Sequence, residues 1–442
     1  MSARVVVVGA GLAGCEAAWQ AARQGVPVAL YEMKPLRKSP AHASDGFAEL
    51  VCSNSLRSAQ LTHAVGLLKE EMRELGSLVM AAADETAVPA GRALAVDRIA
   101  FSERITEAIE SHPGIEVRRE LVARIPEDPW VVLATGPLTA PELARGLQRL
   151  LGDEYLYFYD AVSPIVYADS IDGEVAFRAS RYEEGEGDYL NLPLDREAYE
   201  RFVDDLLVAE TVPLHSFEES LYFEGCLPIE EIARRGRDTL AFGPMRPVGL
   251  VDPRSGERPH AVVQLRQEDK RGLLYNLVGF QTKMRLGEQK RVFRGLPGLG
   301  EAVFARYGSV HRNTYVNAPK RLERLEVAMR PGLFVTGQMA GVEGYVESAA
   351  LGGLAGLAAA FRARAGEPPW PAATTAHGAL LHHLEQADPR GFQPMNASFG
   401  LFPPLERMGR RESKRQRHQR LSERALRDFD PFARRIHAAG SA

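Results

Sequence analysis

The chain has 442 residues, of which 45% are hydrophobic and 25% are charged, and its formal net charge is −4. This composition predicts a globular protein of two or three domains and excludes binding of nucleic acid through a high overall positive charge. Cys15, Cys52 and Cys226 are too few for a disulfide framework and lack zinc-ligand spacing, so we expect a reducing cytoplasm and no metal. No apolar stretch is long enough for a membrane span or a signal peptide.

The N-terminal segment predicts a strand, a glycine turn, a helix and a second strand. The apolar run Val5–Val8 precedes a GxGxxG motif, and Glu32 ends the second apolar run. In such a unit the first glycine makes the turn, the second lets a pyrophosphate approach the backbone, and the third lets the helix pack on the strand. The acidic residue accepts a hydrogen bond from a ribose hydroxyl. We predict that a dinucleotide is bound by Gly9, Ala10, Gly11, Leu12, Ala13, Gly14 and Glu32.

Helical and strand patterns follow a polar, turn-rich stretch at Lys34–Ser58, which is the first expected functional loop. Apolar spacing predicts a helix over residues 64–80 and another over 97–110. Alternation of apolar and polar residues predicts a strand over residues 115–122.

Two further apolar strands end in the same Thr-Gly pair. One is Trp130–Gly136, and the other is Leu333–Gly337, which a Gly- and Ala-rich helix follows. This split arrangement is typical of FAD-binding folds, in which a C-terminal helix points at the flavin. We therefore predict an α/β fold, with an FAD-binding Rossmann-like domain formed by residues 1–160 and 321–442 and a mixed α+β insertion domain at 161–320. The added cofactor contacts are Thr135, Gly136, Gly337, Gln338 and Tyr345.

Two of the cysteines lie in polar turns. Cys52 is followed by Ser53 and Asn54, and the positive charge of Arg57 would favour its thiolate. Cys226 lies between a glycine and a proline that favour an accessible turn. The alternative is that both are small, buried and unreactive, as we expect of Cys15.

A basic segment at residues 410–420 holds six Lys or Arg and one Glu. Such a concentration of charge in a slightly acidic chain predicts a face that binds nucleic acid phosphates. A solvated terminal helix is the alternative explanation. The expected RNA contacts are Arg410, Arg411, Lys414, Arg415 and Arg417.

Taken in order, these motifs resemble the bacterial folate- and FAD-dependent tRNA (uracil-C5) methyltransferases, relatives of the GidA flavoproteins. The likeness spans nearly the whole chain through LVCSNSLRS, ALAVDR, ATGPLTAPEL, YFYDAVSPIV, FEGCLPIE, AVVQLRQED, GFQTKM, HRNTY, GQMAGVEGYVESAA and FQPMNASFGL. Leu192 departs from the family, in which a cysteine is frequent, so that position is not expected to be catalytic.

The resemblance implies transfer of the methylene carbon of 5,10-methylenetetrahydrofolate to C5 of the T-loop uridine of tRNA (position 54). Reduction to methyl would use FADH2 recharged by NAD(P)H. A thiolate would add to uracil C6 to activate C5. We assign this to Cys226 and the general acid/base role to Cys52, with the reverse assignment left open. Folate or uridine contacts would come from Ser53, Asn54, Arg285, His311 and Asn313.

Three alternatives remain at this stage: a wobble-uridine tRNA-modifying flavoenzyme, a plain flavin oxidoreductase, and a non-catalytic FAD-containing tRNA-binding protein. Cys52 and Cys226 in polar turns, and the lack of the wobble enzyme's helical C-terminal extension, favour the methyltransferase. We expect a monomer with no membrane partner.

Overall fold

Two large sheets, one mostly parallel and one antiparallel, organise the chain in this computed structural model, beside a three-stranded and a two-stranded sheet. The structure describes residues 3–152, 155–181, 187–212, 227–406 and 413–440, without the side chains of 155–160, 162 and 311–313. The strands are Val5–Val8 (β1), Val28–Tyr31 (β2), Ser55–Ser58 (β3), Ala87–Val88 (β4), Ala93–Val96 (β5), Ile115–Arg118 (β6), Val131–Leu133 (β7), Tyr155–Val162 (β8), Ile165–Tyr167 (β9), Phe177–Arg178 (β10), Tyr189–Leu194 (β11), Ala261–Gln267 (β12), Leu274–Leu277 (β13), Phe304–Arg306 (β14), Ser309–Val316 (β15), Leu322–Glu323 (β16), Glu326–Val327 (β17) and Leu333–Val335 (β18).

The helices lie between these strands and at the C-terminal end. They are Leu12–Arg23 (α1), Ala64–Glu74 (α2), Leu78–Glu85 (α3), Arg98–Glu110 (α4), Pro141–Leu151 (α5), Arg196–Val208 (α6), Ile229–Arg234 (α7), Thr239–Phe242 (α8), Leu286–Arg294 (α9), Ala318–Arg321 (α10), Tyr345–Ala363 (α11), Ala376–Gln386 (α12) and Lys414–Gly440 (α13). No described helix is long and apolar enough to cross a membrane.

The larger sheet has the order β16-β17-β18-β7-β1-β2-β6. Its strands β18, β7, β1, β2 and β6 are parallel. All four residues of Val5–Val8 are buried, as expected of a strand that helices cover on both faces. Leu133 is in register with Val8 and with Val335, so the carboxyl ends of three strands meet at one edge. The predicted α/β class is confirmed.

Helix α11 packs closely on α1. A Cβ at Gly352 would lie 2.2 Å from the carbonyl oxygen of Ala13, and one at Gly356 would lie 2.1 Å from that of Ala17. Side chains larger than glycine would therefore push the helices apart. The glycines of this Gly- and Ala-rich helix thus serve a contact between two helices.

The second sheet has the order β10-β11-β12-β13-β9-β14, and its pairs are antiparallel. Its own hydrophobic core includes Leu192, Tyr199, Val263, Phe280 and Phe293. The core of the larger sheet is a separate cluster, to which residues 5–151 and 315–436 contribute. The two sheets thus have separate cores, while the domain boundaries near residues 160 and 320 stay a prediction.

The predicted single helix over residues 64–80 is wrong, since α2 ends at Glu74 and α3 begins at Leu78. Gly76 takes a positive φ of 66°, and the Ser77 hydroxyl accepts a hydrogen bond from the Met80 amide, which starts a new helix. The strand predicted over 115–122 ends at Arg118.

Candidate functional site

The glycine turn between β1 and α1 fits the roles predicted for its three glycines. Gly9 has a φ of 98°, and a Cβ there would lie 2.7 Å from the Ala134 carbonyl oxygen. A Cβ on Gly14 would lie 1.7 Å from the carbonyl oxygen of Gly9, so the helix sits directly on the turn. Gly11 is different, because its Cβ would meet nothing within 4 Å. The position of Gly11 at the N-cap of α1 leaves open space where a phosphate could approach the backbone.

A cleft of about 1150 Å³, including its solvent-open part, lies at the carboxyl edge of the parallel strands. All the residues predicted to bind the cofactor line it except Gly14, which lies behind the turn. Those that line it are Gly9, Ala10, Gly11, Leu12, Ala13, Glu32, Thr135, Gly136, Gly337, Gln338 and Tyr345. The fold thus brings residues from the two ends of the chain into one concave site.

Glu32 holds the entrance of this cleft in shape. One carboxylate oxygen accepts from the Ala10 amide at 2.8 Å and the other from the Lys34 amide at 2.9 Å. Each oxygen keeps a second lone pair, so Glu32 is still able to accept from a ribose hydroxyl.

The residues of the cleft fit a flavin dinucleotide. Gly11 leaves the space described above, and the buried Thr336 Oγ1 has no hydrogen-bond partner in the described structure. Buried hydroxyls usually have a partner, so this atom at the cleft wall suits a ligand that brings one.

Cys52 lies beside the cleft, in contact with the first residue of α11. The Tyr345 hydroxyl accepts a hydrogen bond from the Cys52 amide at 2.7 Å and lies 2.9 Å from Cys52 Sγ. Burial, and next the neighbouring Cys52, raise the pKa of Tyr345 well above its ordinary value. The phenol therefore keeps its proton. Because the phenol oxygen already accepts from the Cys52 amide, its O–H is free to donate to Cys52 Sγ.

The source of positive charge around Cys52 is not the one predicted. Arg57 binds Glu347 and Asn396 instead of the thiol. Three other guanidinium groups interact electrostatically with Cys52: those of Arg98, Arg266 and Arg306. Positive charge near a thiol favours the thiolate, so these three arginines take the role predicted for Arg57 from the sequence.

These arginines come from segments far apart in the chain. Arg98 begins α4 and forms an ion pair with Glu268 at 2.7 Å. Arg266 on β12 donates to Ser53 Oγ at 2.7 Å and to Asn54 Oδ1 at 2.9 Å. No local sequence pattern marks a single arginine as a neighbour of Cys52. Arg98 and Arg266 do fall within the ALAVDR and AVVQLRQED motifs.

The predicted substrate contacts of the Cys52 loop divide into two kinds. Ser53 is half-buried and bound to Arg266. Asn54 is fully buried, and its Nδ2 donates to the carbonyls of Val96 and Gln267. This geometry argues against substrate contact by Asn54 and makes it a residue that fixes the loop.

Of the other predicted catalytic and substrate residues, Arg285 lies apart from the cleft, and the side chains of the rest fall outside the described part of the structure. Arg285 is an exposed N-cap residue of α9, 3.7 Å from Glu210, and does not line the cleft. His311 and Asn313 belong to β15, but their side chains are outside the described part of the structure. Cys226 also lies outside the described residues. Cys15 is buried, which raises its pKa, in agreement with a packing role.

The basic C-terminal segment forms the start of α13. Lys414, Arg415 and Arg417 are exposed there, whereas Arg410 and Arg411 lie outside the described residues. His418 bonds the Thr62 carbonyl at 3.0 Å and so fixes this end of the helix to the body of the protein.

Comparison with known proteins gives one consistent result. The family model of Glucose inhibited division protein A matches residues 4–367. The Methylenetetrahydrofolate--tRNA-(uracil-5-)-methyltransferase TrmFO of Desulforudis audaxviator is 59% identical over 96% of this chain and 98% of the relative. The Geobacter sulfurreducens protein of the same name is 58% identical over 97% of this chain and 99% of its own.

Solved structures of low sequence identity share the fold of this chain. Aquifex aeolicus GidA in its form I crystal superposes with a TM-score of 0.71 at 18% identity, covering 98% of this chain and 76% of that one. Its form II crystal gives a TM-score of 0.69. The predicted GidA-related fold, with its insertion, is confirmed.

Proposed function

The chain belongs to the Glucose inhibited division protein A family, and we propose that it acts as the methylenetetrahydrofolate–tRNA-(uracil-5-)-methyltransferase for which its relatives of 54–59% identity are named. The reaction transfers the one-carbon unit of methylenetetrahydrofolate to C5 of a uridine in tRNA. We take the target to be the T-loop uridine, as the resemblance implies.

The cleft residues would hold FAD. The pyrophosphate would approach the backbone at Gly11, and Glu32 would accept from a ribose hydroxyl. When bound, FAD supplies the two electrons that bring a methylene carbon to a methyl group. A nicotinamide dinucleotide would be the external source of these electrons.

The cysteines would act on the uracil ring. In our proposal the Cys226 thiolate forms a bond to C6, and the C5=C6 electron pair moves toward the C4 carbonyl, so that C5 becomes nucleophilic. After C5 has gained its carbon substituent, Cys52 takes the C5 proton onto sulfur. The C5–H electron pair again moves toward C4 and its oxygen. When that pair returns, the C6–S bond breaks, the Cys226 thiolate leaves and the C5=C6 double bond is restored.

The observation that carries the proposal is the contact between Cys52 and Tyr345. Tyr345 lines the cleft, and its hydroxyl lies 2.9 Å from Cys52 Sγ. The Cys52 thiol is therefore held at the wall of the site where FAD would bind, and we propose that it is reactive there. The remaining predicted contacts, Ser53, Arg285, His311 and Asn313, stay proposals for folate or uridine.

The exposed cations at the start of α13 would bind tRNA phosphates, with Lys414, Arg415 and Arg417 as the described members of this face. We propose that the protein acts as a monomer in the cytoplasm, where its RNA substrate and reduced cofactors are found.

A turnover assay tests the function directly. The purified protein, loaded with FAD and supplied with NADH or NADPH, is mixed with unmodified tRNA and methylenetetrahydrofolate labelled in its methylene carbon. Label should appear in 5-methyluridine of the T-loop without S-adenosylmethionine. Absence of transfer with reduced flavin and intact tRNA would refute the proposal, and label at the wobble position would show a different tRNA-modifying activity.

A further inference from the structure

Arg306 is a half-buried cation that forms no ion pair with any described residue. In the part of the chain that the structure describes, its side chain makes a single hydrogen bond, from Nη2 to the Ala41 carbonyl oxygen at 3.5 Å, and no ion pair. The two other arginines near Cys52 differ, because Arg98 pairs with Glu268 and Arg266 donates to Ser53 and Asn54.

The position of Arg306 links the two sheets. It ends β14, an edge strand of the antiparallel sheet, and reaches Ala41, which lines the cleft beside the parallel sheet. The charges that act on it are those of Arg98, Glu49, Tyr345 and Cys52, and burial, followed by Arg98, lowers its pKa. Glu49 acts on Arg306 only through its charge: its carboxylate accepts from the amides of residues 43 and 44 and pairs with Lys34 at 3.8 Å.

A half-buried guanidinium without an ion-pair partner has N–H groups that can donate hydrogen bonds to a negatively charged group of the substrate. The proposed reaction brings three kinds of negative charge. RNA phosphates remain on the backbone when a base is turned into a cleft. The carboxylates of folate lie at the end of the molecule opposite the pterin. The third charge develops on the uracil ring itself, next to the thiol that takes the C5 proton.

We propose that Arg306 donates a hydrogen bond to O4 of the target uracil and stabilises the oxyanion formed there. This inference rests on the methyltransferase function proposed above. Cys52 removes the C5 proton, forming S–H as C5–H breaks, and the released electron pair moves into the C5–C4 bond as the C4=O π pair moves onto O4. Because C4 is bonded to C5, a donor to O4 must lie beside the base that acts on C5. Arg306 interacts electrostatically with Cys52 and Tyr345, bonds a residue of the cleft wall and is partly excluded from water, which suits this role.

The test compares R306Q and R306K with R271Q, which alters an exposed arginine of the turn between β12 and β13. Single-turnover methyl transfer is measured at saturating tRNA and folate, and tRNA Kd and folate KM are measured separately. R306Q should lose about 10²- to 10³-fold in rate, the usual effect of removing one oxyanion donor, with Kd and KM unchanged. R306K should be intermediate, and R271Q should equal the wild type. Flavin absorbance and circular dichroism establish that each variant is folded.

A second readout isolates O4. In tRNA with 4-thiouridine at the target, sulfur replaces O4 and accepts hydrogen bonds poorly, so the wild type should be slowed more than R306Q. Equal slowing, or a wild-type rate in R306Q, would overturn the inference. If R306Q weakened only tRNA binding, Arg306 would be a phosphate contact. If it raised only the folate KM, Arg306 would be a carboxylate contact. Either result would overturn the inference. Failure of the wild type itself to methylate tRNA would instead refute the function.

Discussion

The hydroxyl of Tyr345 lies 2.9 Å from Sγ of Cys52 and accepts a hydrogen bond from the Cys52 amide at 2.7 Å. One side chain thus fixes the backbone and the sulfur of a loop that lies 293 residues earlier in the chain. Since Tyr345 also begins α11 at the wall of the cleft, the positions of the thiol and of the cofactor site are coupled.

Removal of this hydroxyl should make Cys52 less reactive. In Y345F the thiolate loses a hydrogen-bond donor, so its pKa should rise and the pH profile of its alkylation should move to higher pH. A hydrogen bond to a charged group contributes about 1.5–3 kcal/mol, so methyl transfer should fall about tenfold to a hundredfold. Iodoacetamide labelling, followed by peptide mass spectrometry, measures Cys52 separately from Cys226. Y167F, on an exposed tyrosine, is the control, and an unchanged Cys52 profile in Y345F would contradict the assigned hydrogen bond.

The two cysteines should behave differently toward tRNA that contains 5-fluorouridine. Fluorine at C5 cannot leave as a proton, so the nucleophile stays bonded to C6 and a stable protein–RNA adduct accumulates. C226A should form no adduct, whereas C52A should form it and still fail to methylate normal tRNA. Denaturing gel electrophoresis detects the adduct, and C15A, at a buried packing position, is the matched control. An adduct that survives in C226A and disappears in C52A would reverse the assignment.

The cofactor cleft could be predicted from the sequence because each part of it has a local pattern. Gly9, Gly11 and Gly14 stand at fixed spacing after an apolar strand, and Thr135-Gly136 and Thr336-Gly337 end strands of the same kind. Parallel strands place their carboxyl ends at one edge, so these motifs had to meet. The cleft lining agrees with that expectation.

The surroundings of Cys52 could not be predicted in the same way. Sequence proximity suggested Arg57, but Arg57 has a φ of 63°, and its side chain binds Glu347 and Asn396. The guanidinium group of Arg266 reaches the loop from the antiparallel sheet, and Arg306 of the same sheet acts on Cys52 through its charge. No local pattern encodes the strand pairings that place them there. Asn54 was expected at the surface of the site and is instead buried by these same contacts.

Substitutions of Gly11 and Gly14 should have different effects: the first should weaken FAD binding and the second should destabilise the fold. In G11A the new Cβ enters the open space at the N-cap of α1, so FAD binding should weaken by about 1–3 kcal/mol, while the stability of the FAD-free protein changes little. In G14A the new Cβ would lie 1.7 Å from the Gly9 carbonyl oxygen, so the fold itself should be destabilised. G287A, where a Cβ meets nothing within 4 Å in α9, is the control. Flavin titration and thermal unfolding measure the two effects, and equal FAD affinity in G11A and the wild type would exclude close approach of the pyrophosphate.

The exposed start of α13 should contribute to tRNA affinity through charge. Substitution of Lys414, Arg415 and Arg417 by Gln should weaken tRNA binding and lower the slope of log K against log salt by about one for each phosphate that is no longer neutralised. R435Q, at an exposed position near the other end of the same helix, should leave both quantities unchanged. Filter binding over a range of salt concentrations measures the slope. An unchanged slope in the triple variant would show that this end of α13 is only a solvated helix.

Lys69 should make the stability of the protein depend on pH. Burial, and next the charge of Arg57, lower its pKa from 10.5 to about 7, although Nζ donates to the Leu56 carbonyl at 2.6 Å. Between these values the unfolded chain binds a proton that the folded chain does not, so the free energy of unfolding rises with pH, by at most about 1.4 kcal/mol per pH unit. The stabilising effect of the neutral amine is thus lost as pH falls from 10.5 toward 7.

The comparison of wild type with K69M isolates this effect. Methionine does not titrate, so the difference in unfolding free energy between the two proteins should change with pH in favour of K69M as pH falls from about 9 to about 7. Urea unfolding under reducing conditions measures it, and K270M, at an exposed lysine, controls for a change of charge alone. A pH-independent difference would mean that the ammonium stays charged in the folded protein. The carbonyls of Leu56 and Arg57 and the nearby Glu347 would then offset its burial.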